Sequence, residues 1–158
     1  MWSIIVHGGA GAIPESLASL HRAGCAEAAD VGAECLDSGG SALDAACAAV
    51  RVLESNPLFN SGRGSTLDAR GLPLMDAAVA RASDLAYGAV GQVLGVGSPV
   101  DLARAVLEDG RHCLLVGSGA VDFARRTGIR LQDPELDVTE TARAAWRRAK
   151  EQIGRAHV

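Results

Sequence analysis

The first residues able to do chemistry lie in the run Val6-His7-Gly8-Gly9-Ala10-Gly11-Ala12-Ile13-Pro14, which follows the short apolar stretch Ser3-Ile4-Ile5-Val6. Backbone without side chains can cradle a phosphate, line an oxyanion or simply turn tightly. A dinucleotide fingerprint needs G-x-G-x-x-G opening a helix, and here the third glycine is replaced by Pro14. A Walker loop needs Gly-Lys-Ser/Thr, and the run holds no lysine. Both phosphate readings weaken, leaving an oxyanion-side loop or a plain turn. Cys25, Cys35, Cys47 and Cys113 form neither a CxxC pair nor a Cys/His cluster, so reduced core cysteines are expected rather than a metal centre.

Positioning such a loop requires a folded scaffold, and the composition provides for one. The chain has 158 residues, 48% hydrophobic and 22% charged, which suits one soluble domain with its own core. A net charge of -4 with scattered arginines leaves no basic surface for nucleic acid. No apolar run is long enough to span a bilayer, and Met1-Trp2-Ser3-Ile4-Ile5 lacks the regions of a signal peptide, so a cytoplasmic protein without a membrane partner is expected. Aromatic residues make up only 3% while glycine numbers 19. The core must therefore be built from Ala, Val and Leu between closely approaching backbones.

The element pattern follows from periodicity and punctuation. Ser3–Val6 reads as a buried strand closed by glycine. Residues 16–37 read as a helix stopped by Gly39-Gly40, and Ser41 with Asp44 forms a capping-box pattern for a second helix to Leu53, apolar on nearly every side. Strands are expected around 65–68, 74–80 and 86–94, the short turns between them making an antiparallel meander. Ser98 as N-cap and Pro99 at the first position open a helix ended by Asp109-Gly110. A strand at 112–116, a helix at 120–127 ended by Gly128 and a polar helix at 139–153 complete an α+β order.

Two distant segments turn the glycine run into a specific signal. "IIVHGGAGAIP" at 4–14, taken with "LESNPLFNSGRGSTLDARG" at 53–71 and "MDAAVA" at 75–80, resembles the plant-type L-asparaginases and isoaspartyl peptidases, which are N-terminal nucleophile hydrolases. The resemblance continues, in order, through "SALDA" at 41–45, "YGAVGQVLGVGSPVDLARAV" at 87–106 and "LLVGSGAVDFAR" at 114–125. One departure is Ala80-Arg81-Ala82, where the family usually makes a Met-Asp-Gly turn.

The resemblance implies a four-layer αββα sandwich of which 1–158 is the N-terminal (α) half, with 129–158 a variable linker ending near the cleavage site. In that family the precursor cuts itself, and the β subunit begins with the catalytic threonine. Thr66, Thr127, Thr139 and Thr141 begin no matching motif, so the nucleophile is expected on a β partner in an (αβ)2 assembly. A terminal threonine carries its own base, an α-amino group with a pKa near ~8. The implied substrates are small: the side-chain amide of asparagine and the β-linked bond of isoaspartyl peptides. In this chain, Asn60 matches an asparagine close to the nucleophile, and Gly9 and Gly11 belong to the loop beside it. Main-chain carbonyls of Leu53, Glu54, Asn56, Phe59, Ser61 and Arg63 match a structural sodium site, with no catalytic cofactor implied. His7 and Asp76 match family positions, but such isolated groups at strand ends are more often structural than catalytic. The alternatives are a sister hydrolase acting on glycosylated asparagine or on a protein, and a non-catalytic glycine-rich binding domain.

Overall fold

The computed structural model describes residues 1–155, and the helices and most of the sheet follow the punctuation of the sequence. Helix α1 (Glu15–Asp37) ends where the Ser38, Gly39 and Gly40 amides donate to carbonyls of its last turns, and Ser38–Ser41 connects it to α2 (Ala42–Ser55). The expected capping box is formed. The Asp44 amide donates to Ser41 Oγ at 3.1 Å, and the Ser41 amide donates back to the Asp44 carboxylate at 2.9 Å. The two helices cross along Gly24, Ala28 and Gly32, all buried and four residues apart on α1. A Cβ on Gly32 would stand 2.3 Å from Ile4 and 3.2 Å from the Ala45 carbonyl, so only glycine permits this approach. This is the close-backbone core that scarce aromatics and abundant glycine require.

The sheet has three strands in the order β1 (Met75–Arg81), β2 (Ala86–Val93) and β3 (Leu114–Val116). The first pair is antiparallel, with a bulge near Asp76, whose carboxylate accepts the Gln92 amide at 2.8 Å. The second pair is parallel and is reached by a crossover through α3 (Pro99–Asp109), which ends at left-handed Gly110. Helices α3 and α4 (Gly117–Thr127) cover one face of the sheet. Val90, Val93, Leu102, Val106, Phe123 and Ala124 are the centre of that core. Ala78, Ala80, Tyr87, Leu114 and Val116 lie on the opposite face, which nothing among the described residues covers.

Four expectations need correction. Ser3–Val6 makes no strand: Ile4 and Val6 pack on the α1–α2 cluster, but Ile5 is 94% exposed and no described residue offers the segment a backbone ladder. A strand exists only with a partner, and its sequence cannot provide one. Residues 65–68 also form no strand, because Asp68 folds a turn instead. Its carboxylate accepts the Arg70 and Leu72 amides, and its carbonyl accepts the Gly71 amide. Helix α2, whose apolar sides lead one to expect it buried between layers, leaves Ala42, Ala46 and Arg51 exposed. Cys113 is exposed rather than in the core, whereas Cys47 is buried.

The stretch from 129 is tied to the main core at its start. Val96 and Leu131 form an antiparallel bridge, the Gly97 amide donates to the Arg130 carbonyl, and Ile129 and Leu131 both pack against the sheet core. A 3-10 turn at Pro134–Asp137 leads into α5 (Glu140–Arg155). That helix is docked by one aromatic residue: Trp146 Nε1 donates to the Asp68 carbonyl at 2.8 Å, and Lys150 Nζ sits 4.6 Å from the Trp146 ring centre. Residues 156–158, including His157 and the expected cleavage junction, lie outside the described residues.

Candidate active site

The site is built from the end of α2. Past Ser55 the chain turns on Asn56, whose side-chain oxygen accepts the Leu58 amide at 3.1 Å while its carbonyl accepts the Phe59 amide at 3.1 Å. The turn drives the Phe59 ring into the gap left by the small residues of α1. Phe59 is 4% exposed, meets His21 edge-on at 5.2 Å, and sits where a Cβ on Gly8 or Gly24 would collide with it. With Phe59 seated as a plug, the next residue is thrown outward beside the glycine loop.

That next residue is Asn60. Its Oδ1 lies 3.9 Å from where a Cβ on Gly9 would stand, so two residues separated by half a hundred positions meet. Gly9 has φ +105°, a conformation that side-chain-bearing residues rarely adopt, and its amide donates to His7 Nδ1 at 3.1 Å. Gly11 is not drawn into this pair: a Cβ there would meet nothing within 4 Å. Two cavities open at Asn60. One, of about 380 Å³, runs between the loop and α5 past Thr66, Thr139 and Trp146; the other, of about 250 Å³, is lined by Glu54, Ser65 and Asp76.

The loop is closed at its base. The Arg63 amide donates to the Glu54 carbonyl at 2.7 Å, and the Gly64 amide donates to the Asp137 carbonyl at 2.8 Å. Of the carbonyls matched to a sodium site, Leu53, Glu54 and Asn56 each already accept one amide, which leaves each a second lone pair. Among the described residues, no group of three or more His, Cys, Asp or Glu side chains could hold a metal.

Sequence reasoning missed two buried acids here. The Glu54 side chain leaves α2 to meet the start of α3, its Oε2 accepting the Ser98 hydroxyl at 2.9 Å and its Oε1 the Val100 amide at 2.9 Å. Ser98 consequently makes no side-chain cap of its own helix. Burial is the largest influence on the Glu54 carboxyl and raises it to about 7, against those two donors. Asp137 is 3% exposed and accepts from Gln132 Nε2 at 2.7 Å; burial pushes its carboxyl up, with Gln132 and Arg63 opposing. The one signal was at Glu54, a carboxylate ending the apolar α2 run; Asp137, among Asp133, Glu135 and Glu140, offered none.

A family model described as asparaginase matches residues 1–158. The chain belongs to the asparaginase family. It is 45% identical to a plant-type L-asparaginase of Pyrococcus abyssi across 100% of its own length and 51% of the relative's. It is 42% identical to an isoaspartyl peptidase/L-asparaginase of Danio rerio, over 92% of this chain and 47% of that protein. The corresponding protein of Mus musculus is 42% identical over 96% of this chain and 47% of its own length. The asparaginase-family chain thus spans about half the length of the curated relatives it matches.

Proposed function

We propose that this chain is the N-terminal (α) half of a four-layer αββα hydrolase that cleaves the side-chain amide of L-asparagine and the β-linked bond of isoaspartyl peptides. The observation that carries this reading is the meeting of Gly9 and Asn60 in a chain matched along its whole length by the asparaginase family. The uncovered face at Ala78, Ala80, Tyr87, Leu114 and Val116 gives a second sheet a surface to pack on. The segment 3–6, which pairs with no strand among the described residues, gives it an edge to pair with.

The reaction is amide hydrolysis in two halves. The hydroxyl oxygen of a threonine at the start of the β half attacks the amide carbon, ammonia or the peptide's amino group leaves, and water then cleaves the resulting ester. Residues of this chain hold the reacting groups without forming bonds to them. The Asn60 amide can donate and accept at once beside the nucleophile, and Gly9 lets that group approach the backbone closely. The carbonyls of Leu53, Glu54 and Asn56 each retain a lone pair, and main-chain oxygens of the Leu53–Arg63 loop would hold a hard cation. Such an ion would brace the loop. Residues 1–128 would then be scaffold and site wall, and 129–158 the variable linker region.

Expressing the chain with its downstream coding sequence tests this directly. The reading expects a fragment beginning with threonine by mass spectrometry and release of ammonia from asparagine or of aspartate from isoaspartyl dipeptides. Asn60→Ala should lower kcat by about 10²-fold. A stop codon after Val158, or full activity in Asn60→Ala, would defeat it.

A further inference from the structure

Glu54 joins three parts of the molecule. Its side chain holds the start of α3 through two bonds, from the Ser98 hydroxyl and the Val100 amide, while its own carbonyl accepts the Arg63 amide and so closes the Asn60 loop. The closure leaves no slack, because a Cβ on Gly62 would stand 2.3 Å from the Glu54 carbonyl oxygen and Gly62 already sits at φ +60°. Asn60 therefore hangs between the Phe59 plug on the α1 side and the Glu54 tie on the α3 side. Since α3 covers the sheet, whatever fixes Glu54 to α3 also fixes the Asn60 amide relative to the strands.

We propose that Glu54 is a positioning residue for Asn60, its carboxylate and carbonyl together locking the Asn60 loop to the N-terminus of α3. The inference rests on the hydrolase reading above for its kinetic consequence, and on the hydrogen bonds alone for its structural one. The two side-chain bonds need reach and acceptor atoms rather than a negative charge. Glutamine satisfies both: its carbonyl oxygen accepts from Val100 while its amide donates to the Ser98 hydroxyl, which can rotate to accept. Alanine satisfies neither and leaves the buried Val100 amide without this acceptor.

The test uses the full-length protein, this chain together with its C-terminal half. Glu54→Ala should lower kcat by roughly 10²-fold with KM little changed, the scale on which misplacing a site group by about an ångström acts. Glu54→Gln should restore kcat to within a few-fold of the parent, and Ser98→Ala, which removes one donor, should fall between them. Hydrogen exchange provides the second readout: the Arg63 amide should lose protection in Glu54→Ala and keep it in Glu54→Gln. If Glu54→Ala does not fold, Ser98→Ala against Glu54→Gln carries the comparison. Equal kcat in Glu54→Gln and Glu54→Ala would overturn the proposal, because charge rather than reach would then matter, and so would unchanged kcat and exchange in both Glu54→Ala and Ser98→Ala. A parent protein that hydrolyses neither substrate defeats the hydrolase reading instead, and the exchange pattern still decides whether Glu54 locks the loop.

Discussion

At Glu54 two influences oppose each other within one side chain. The Ser98 hydroxyl and Val100 amide favour its carboxylate, yet burial is the larger influence and brings the group to about 7. In the unfolded chain the same group sheds its proton near ~4.3. The folded chain therefore holds a proton that the unfolded chain has lost, so stability is complete below about pH 4 and declines as pH rises towards about 7. Urea titrations across that window should show this decline, up to roughly 3 kcal/mol if no other group compensates. Glu54→Gln should flatten it. A slope unchanged in Glu54→Gln would assign the effect to another group. Neither the burial of this acid nor that of Asp137 was legible in the sequence: a carboxylate, whether it ends an apolar run as Glu54 does or lies among other acids as Asp137 does, reads as solvated until its neighbours are known. Gly9 and Asn60 were named through the resemblance of their segments to the asparaginases, and the structure brings the two together. Gly11 shares the motif but not the contact.

Among the elements, those with local punctuation were the readable ones. Ser41 with Asp44, Pro99 at the start of α3, and Gly110 and Gly128 at helix ends act within one turn, and the structure has each of them at a helix boundary. The segment 3–6 failed because pairing is a non-local property, and 65–68 failed because the Asp68 side chain outcompetes a ladder for its neighbours' amides. Helix α5 is the element most dependent on a single residue. Its Trp146 packs on Gly71 and reaches the Asp68 carbonyl, while Arg143 pairs with Glu135 at 2.7 Å near its start. Trp146→Ala should free α5 from the Asp68–Gly71 turn and open the cavity beside Thr66 and Thr139. Limited proteolysis should then cut within 140–155 far sooner than in the parent, while the α3–α4 core keeps its melting temperature. An unchanged cutting rate would mean that Thr139, whose hydroxyl accepts the Ala142 amide at 3.1 Å, and the Arg143 pair suffice.

For the whole molecule, the α+β class could be read from element order, but the single uncovered sheet face could not, since alternation along β1 and β2 is the same whether the outer face meets water or protein. Leu114 and Val116 are each 57% exposed on that face, and Tyr87 is 56% exposed beside them. Leu114→Lys should leave the α3–α4 core intact, because its side chain points away from it. In the full-length protein the same change should reduce recovery of the associated two-half species on size exclusion, as burying an unpaired ammonium against a second sheet is costly. Normal recovery would show that nothing packs there.

The order in which these parts form is also written into their connections. Helices α1 and α2 are joined by Ser38–Ser41 alone and touch along the Gly24, Ala28 and Gly32 stripe, contacts that are near in sequence. The β2–β3 pairing is parallel and must wait for the chain to travel through α3. Local contacts close loops at lower entropic cost and assemble sooner. The helical hairpin is thus the natural nucleus, and Phe59 can seat against it before the sheet exists. Mutations at Gly24 or Gly32 should therefore slow refolding itself, whereas changes on β3 should chiefly speed unfolding.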